Sequence, residues 1–269
     1  MKLLKSIAKS ILGPTVYRKA SSFRRLLVIK FKNGVVSSSG GRYCPICKTF
    51  LREKFLPYNI PPVPPVKLPP LDDWSCPVCA SHPRFRFMWL FLKSRYESKS
   101  ELSVLHFAPE DCLRNLMAEL FPVNYKTADI NGEGSMLQVD ITNMDSINDN
   151  SFDVLICSHV LEHVIDDFRA LSEIYRVLKK GGAAIIVVPM KGEVTIEDPD
   201  CNDPAERLRR FSQDDHFRLY GNDFHERIEK AGFEVSLVSS EDFIVSLDLR
   251  TLLGINNEKI FIGTKRRSK

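Results

Sequence analysis

The stretch that most limits how this chain can fold covers residues 151–189, SFDVLICSHVLEHVIDDFRALSEIYRVLKKGGAAIIVVP. It holds two short apolar runs, residues 152–157 and 183–188, each long enough to cross a sheet covered on both faces. Between them Leu161, Val164, Phe168, Leu171, Ile174, Tyr175 and Leu178 recur at three- and four-residue steps, the pattern of an amphipathic helix. Lys179 and Lys180 suit the helix C-terminus, and Gly181 suits the left-handed turn beyond it. A strand–helix–strand unit of this kind predicts parallel strands joined by a right-handed crossover.

The cysteines set the second constraint. Cys44-Pro45-Ile46-Cys47 and Cys76-Pro77-Val78-Cys79 are two CPxC knuckles separated by 28 residues. Thiolates two residues apart can face one ion, and two such knuckles complete a tetrahedral sulfur site, so the spacing predicts structural zinc on Cys44, Cys47, Cys76 and Cys79. The tract PPVPPVKLPP at 61–70 is extended and cannot join a central strand, and it reads as a loop of the ribbon. Cys112, Cys157 and Cys201 stand singly, so the seven cysteines are not a disulfide framework and a reducing cytoplasm is the expected location.

Charge divides the chain unevenly. Residues 1–52 carry twelve Lys and Arg and no acid, whereas the other 217 residues hold 26 basic against 34 acidic side chains, a net −8. A basic arm on an acidic body suits an anionic partner. Residues 1–12 place Leu3, Leu4, Ile7, Ala8, Ile11 and Leu12 on one face with Lys2, Lys5 and Lys9 largely on another. Such a helix can lie peripherally on an anionic membrane surface, or dock on its own domain. Residues 84–96 predict an aromatic helix on which Phe85, Met88, Trp89 and Leu92 pack the cysteine module onto the rest. Its interleaved Arg and aromatic residues also suit stacking on nucleic-acid bases.

FDVLICSHVLEHVIDD followed by LSEIYRVLKKGGAAIIVVP resembles the fourth strand, following helix and fifth strand of class I S-adenosylmethionine (SAM) methyltransferases. The resemblance implies an α/β fold, a seven-stranded doubly wound Rossmann-like sheet with SAM across the carboxyl ends of its strands. Residues 102–108 then form the first strand, 110–120 the first helix, 125–130 the second strand and 139–141 the third. Residues 223–231 form a later helix, and 233–238 and 259–264 the last two strands. Where the family has an acid and a glycine-rich turn, this chain has His106-Phe107-Ala108-Pro109-Glu110, and Phe107, Ala108 and Pro109 take the place of that turn. The likeness puts Asp129 on the ribose hydroxyls, Asp140 on the adenine amino group and Ile141 against the ring. Ser158 and His159 fall at the methionine end; His163 reads as a structural histidine.

More widely, CPxC…CPxC…VLHFAPE…DITxM…FDVLICxHVLEHV…EDP…DHxRxYG resembles a bacterial group of SAM methyltransferases bearing a zinc ribbon, over roughly residues 43–238. The expected organisation is a basic arm (1–35), a zinc-ribbon-like module with a linking helix (36–97) and a methyltransferase domain (98–269). The polar segment after Pro189 shows no strong periodicity and reads as a lid or substrate loop over the carboxyl edge. On it His216 is the candidate general base, with Asp215 as its orienting partner, because imidazole titrates near neutrality. Glu197, Asp198, Arg218 and Tyr220 are candidate substrate contacts. The expected activity is methyl transfer from SAM to an O or N atom of a small-molecule or saccharide acceptor, with a lipid-linked one favoured by the N-terminal helix. An RNA or protein acceptor read by the ribbon and arm is one alternative, and a non-catalytic SAM- and zinc-binding module is another.

Overall fold

The structure, a computed structural model, describes residues 40–132 and 134–267. The basic arm and its amphipathic helix at 1–35 lie outside the described residues. The described residues begin with two hairpins: β1 (Arg42–Tyr43) pairs with β2 (Phe50–Leu51), and β3 (Leu56–Tyr58) with β4 (Leu71–Ser75), both antiparallel. The first CPxC knuckle turns between β1 and β2, and the second follows β4. The two share one backbone design. Cys44 N donates to Thr49 O (2.9 Å), and Cys76 N donates to Ser81 O (3.0 Å). Lys48 (φ 60°) and Ala80 (φ 55°) are left-handed immediately after each second cysteine. The proline tract forms the loop joining β3 to β4.

Helix α1 (Pro83–Tyr96) is buried along nearly its whole length. That explains why its sequence shows little amphipathic contrast: such a helix sits between two bodies of structure. Phe85, Met88, Trp89 and Leu92 are all buried, as the sequence predicts. Arg86 is also fully buried. Its guanidinium donates to the carbonyls of Ser81 (2.5 Å), Trp74 (3.2 Å) and Gly254 (2.6 Å) and lies 4.0 Å above the Phe55 ring. One cation thereby ties the cysteine module to the far end of the chain.

Next come β5 (Ser103–Phe107), α2 (Asp111–Leu120), β6 (Asn124–Asp129), β7 (Leu137–Gln138), β8 (Phe152–Ser158), α3 (Asp167–Val177) and β9 (Leu178–Val187). They are followed by β10 (Ile196–Glu197), α4 (Pro204–Phe211), β11 (Arg218–Leu219), α5 (Phe224–Lys230), β12 (Glu234–Ser239), α6 (Ser240–Phe243), α7 (Leu247–Leu253) and β13 (Lys259–Thr264). Seven strands form one sheet in the order β12-β13-β9-β8-β5-β6-β7. The pairs from β9 to β7 are parallel, and β13 runs antiparallel to both its neighbours. This is the predicted doubly wound sheet. Alternation along its strands produces two cores. Val104, Val154, Ile156 and Ile185 face α1 and α2, while Leu105, Leu155, Cys157 and Ile186 face α3 and α5.

Three local expectations need correction. Lys179 and Lys180 are strand, not helix, because α3 stops at Val177 and Leu178 already pairs with Phe152. The register then shifts across left-handed Gly181 (φ 79°) and Gly182, where a Cβ would sit 2.8 Å from Lys179 O. Leu161–His163 form a separate 3-10 turn, so the predicted long helix is broken. The carbonyls of Leu161, Val164 and Ile165 accept from buried Arg218. The third strand ends at Gln138, and Val139, Asp140 and Ile141 lie beyond it. There Asp140 Oδ1 accepts from Thr142 N and Oγ1, both at 2.8 Å, and turns the chain. The segment after Pro189 is also more ordered than its sequence suggests. Asp203 caps α4 by accepting from Ala205 N (2.9 Å), with Pro204 in its first turn, and β10 pairs with β11.

Candidate active site at the carboxyl edge of the sheet

Strands β5 and β8 lie side by side, and the chain winds away from them in opposite directions. Their carboxyl ends therefore flank the crevice where open α/β sheets bind ligands. Both strands leave the sheet through a left-handed residue that is not glycine, Ala108 (φ 45°) after β5 and His159 (φ 54°) after β8. Strain of this kind persists only where surroundings over-determine it. Here Ala108 N donates to Ala128 O and His159 N to Val187 O, each at 2.8 Å.

Below these turns the polar groups are buried. His106 is fully buried, with Nδ1 2.9 Å from Tyr125 Oη and Nε2 3.2 Å from Glu110 Oε2. Burial would raise the pKa of Glu110, but His106 and then Ser158 hold it below the ordinary carboxylate value. Among the described residues, Glu110 Oε1 and Oε2, Ser158 Oγ and Arg84 Nε are buried without a hydrogen-bond partner. Burial lowers the Arg84 pKa, while the charges of Glu110, Glu162 and Glu258 oppose the shift. His82 stacks on Phe85 and is pushed down to about 4, first by burial and then by Arg84.

The ends of the next strands carry the two acids singled out from sequence. Asp129 closes β6 and accepts from Asn131 N through Oδ1 (2.8 Å), while exposed Asp140 lies past β7. Phe107, Pro109, Ile141 and Ser158 are buried, and Ala108 is exposed at the crevice rim.

A second polar group lies beside His159. Glu162 is fully buried, and its Oε1 lies 2.9 Å from His159 Nδ1. The ring of His163 meets that of His216 edge to face, with centroids 4.6 Å apart. His216 is 2% exposed; its Nδ1 bonds with Phe211 O (3.0 Å), and its Nε2 is buried without a partner. Burial holds the His216 pKa below its ordinary value. Asp215 orients a different ring from the one expected. Its Oδ2 lies 3.1 Å from His163 Nδ1, so the predicted Asp215–His216 pair is replaced by an Asp215–His163 pair.

Arg218 brings this group together. It is 1% exposed and donates to the carbonyls of Leu161 (2.9 Å), Val164 and Ile165 (2.8 Å), while Phe217 N donates to Glu162 O (2.9 Å). Glu197 Oε2 accepts from Arg218 Nε (3.2 Å), and its Oε1 from Arg227 (2.6 Å). Fully buried Tyr220 donates to Asp167 Oδ2 (2.8 Å), and Asp198 pairs with Arg210 (2.5 Å). The four expected substrate contacts are therefore engaged with the protein itself, and Arg218 and Tyr220 are enclosed within it. Sequence reasoning passed over Arg84, Glu110 and Glu162. A charge set among apolar residues was the signal that could have found Arg84 (RFRFMW) and Glu162 (VLEHV), whereas Glu110 in HFAPED reads simply as the start of a helix.

The four CPxC sulfurs converge. All four Sγ atoms lie within 4.8 Å of one another, with Cys44–Cys79 at 3.6 Å and Cys47–Cys76 at 3.7 Å. A tetrahedron with 2.3 Å zinc–sulfur bonds has an edge of about 3.8 Å, so the cluster has the dimensions of such a site.

Residues 104–186 match the sequence family described as "Methyltransferase domain". The matched residues run from β5 to β9 and contain both left-handed turns, and this match together with the seven-stranded sheet supports a SAM-dependent methyltransferase. No curated protein matches the chain in sequence. Among solved structures, YcgJ from Bacillus subtilis has a TM-score of 0.44 and 16% identity, covering 68% of this chain and 100% of that one. A SAM-dependent methyltransferase from Archaeoglobus fulgidus has a TM-score of 0.47 and 15% identity, covering 69% and 95%. At such identities the likeness is one of fold alone.

Among the described residues no helix is long and apolar enough to cross a membrane.

Proposed function

We propose that this chain methylates an O or N atom of a small-molecule or saccharide acceptor at the crevice between β5 and β8, and that zinc on Cys44, Cys47, Cys76 and Cys79 holds the N-terminal module together. The observation that carries the methyl-transfer reading is the set of polar atoms without a hydrogen bond at that crevice, on Glu110 (ion-paired with His106), Ser158 and Arg84. SAM ends in an α-ammonium and an α-carboxylate, and a buried acid and a buried cation without hydrogen bonds suit these two charges. Ala108, small and left-handed, allows close backbone approach without glycine. Asp129 offers a carboxylate to the ribose hydroxyls, and Asp140 and Ile141 serve the adenine. Bound SAM supplies an electrophilic methyl group on a sulfonium.

The protein's own contribution is then chiefly alignment, since displacement at methyl needs acceptor and sulfonium held in line. His216 contributes through the Glu162–His163 group rather than through a dyad with Asp215. The net −8 of the 217 residues after Arg52 argues against a broad polyanion-binding face on this body and for a smaller acceptor. Calorimetry with SAM tests the cofactor, and release of S-adenosylhomocysteine with a panel of saccharide, RNA and protein acceptors tests the activity. Absence of SAM binding to the folded chain would sink the proposal. Turnover only with RNA or protein would reassign the acceptor.

A further inference from the structure

We propose that Glu162, His163 and His216 form a second metal site, for a first-row divalent ion held by nitrogen and oxygen and separate from the four-cysteine cluster. A carboxylate oxygen of Glu162 and one ring nitrogen from each histidine lie within 4.8 Å of one another, although the histidines come from distant parts of the chain.

Three features distinguish this group from an ordinary buried ion pair. Neither Glu162 oxygen accepts a hydrogen bond among the described residues, and Glu162 is fully buried. Its Oε1 lies 2.9 Å from His159 Nδ1, the ion-pair contact that the group makes with the end of β8. A fully buried carboxylate that accepts no hydrogen bond and has histidines as its neighbours suits a cation shared among them. Each histidine is also oriented in the way metal-binding histidines are. Such a ligand commonly uses its second nitrogen to bond a carbonyl or carboxylate, which fixes both tautomer and ring. Here His216 Nδ1 meets Phe211 O at 3.0 Å, and His163 Nδ1 meets Asp215 Oδ2 at 3.1 Å. That leaves both Nε2 atoms as ligand atoms, and His216 Nε2 is buried with no other partner. Finally, the constellation is held rigidly by Arg218, which clamps the carbonyls around Glu162 while Phe217 N bonds Glu162 O.

Two imidazoles and one carboxylate suit Mn²⁺, Fe²⁺, Co²⁺ or Zn²⁺, and three protein ligands leave positions open for oxygen donors. The group adjoins the crevice through His159, the left-handed residue at the end of β8. The ion site rests on these residues alone. That the ion binds a hydroxyl of the acceptor rests on the methyl-transfer reading.

The test uses the full chain with its cysteine cluster loaded with zinc. Titration with Mn²⁺ and Co²⁺, followed by calorimetry and metal analysis, should show one further ion per chain. Co²⁺ bound there should lack the thiolate charge-transfer absorption that Co²⁺ exchanged into the cysteines shows. Asp215→Ala, a change at a largely exposed side chain, should weaken binding by about 10–100-fold. Glu162→Gln and His216→Ala should abolish it while zinc at the cysteines is kept. A wild-type chain that takes up no ion beyond the cysteine-bound one overturns the proposal. So does uptake undiminished in both Glu162→Gln and His216→Ala. SAM affinity, measured separately without added metal, distinguishes failure of this site from failure of the methyl-transfer reading.

Discussion

The cysteine cluster and the Glu162–His163–His216 group are built in opposite ways. In the first, each half is local: two residues separate the ligands of a knuckle, and each knuckle closes itself with the same backbone bond and a left-handed residue at the same position. Only the meeting of the two halves is tertiary. The second group has one local pair, Glu162 and His163, and becomes three-membered through a clamp between residues 57 apart in sequence, Arg218 and Leu161. Four soft ligands around a closed centre suit a structural ion, whereas three harder ligands leave room for chemistry. The contrast shows how a short spacing can encode one site while another depends on a loop returning over the sheet edge.

Removing one side of this comparison should affect the molecule most. If the cysteine cluster holds the proposed zinc, Cys76→Ser leaves three sulfurs and should release it, with a loss of more than about 4 kcal/mol in stability. Because Arg86 joins this module to Gly254, hydrogen exchange should rise at α7 as well as at residues 42–81. Metal analysis and denaturant unfolding check both outcomes; unchanged unfolding would remove the structural role of the ion.

Arg218→Ala attacks the other side. It takes one of two cation partners from Glu197 and the donors from the carbonyls of Leu161, Val164 and Ile165, and should cost about 3–5 kcal/mol, measured by urea unfolding. If the clamp assembles the second group, this variant should lose the further ion yet keep the zinc in the cysteines. Lysine at this position should not rescue it, since one ammonium cannot reproduce a fork of donors.

Asp129→Ala leaves both clusters intact and asks whether the crevice between them holds SAM. Removing a charged acceptor should weaken SAM by roughly 1.5–3 kcal/mol in calorimetry with stability nearly unchanged. Equal affinity in this variant would show that the end of β6 does not contact the ribose.

The smallest expected effect is a pH dependence confined to the clamp. Arg227, and then Arg218, hold the carboxyl of Glu197 below its ordinary value, although burial opposes them. Its folded-state pKa is therefore depressed. The resulting stabilisation is present above the unfolded value, about 4.3, and is lost as pH falls through the folded value. Glu197→Gln should flatten the acid limb of the stability profile between pH 5 and the acid transition, slightly because Glu197 is partly exposed. An unaltered acid limb would show that the clamp does not depend on this carboxylate.

Much of the architecture could be read from sequence because it rests on local periodicity and burial. Two apolar strands around an amphipathic helix have few alternatives to a parallel, doubly covered sheet, and CPxC spacing has few alternatives to a sulfur knuckle. The strand ends bearing Asp129 and Asp140 were also within reach, to within two or three residues. Reading the polar loop was harder. Glu197, Arg218 and Tyr220 have the composition of a substrate-binding surface, but charge alone does not reveal whether a side chain faces solvent or a buried partner. The break after His163 was equally hidden, since nothing local in VLEHVIDD shows that a distant guanidinium will capture its carbonyls.

The sequence by itself therefore determined the sheet, its cysteine knuckles and the helix between them, because those choices are made among neighbours a few residues apart. Tertiary structure alone decided which polar residues meet. It placed Arg84 and Glu110 at the crevice, gave Asp215 to His163 rather than to His216, and buried Glu162 among histidines. Each of those outcomes depends on distances set by packing across two layers, where desolvation makes an unpaired charge costly and geometry selects its partner.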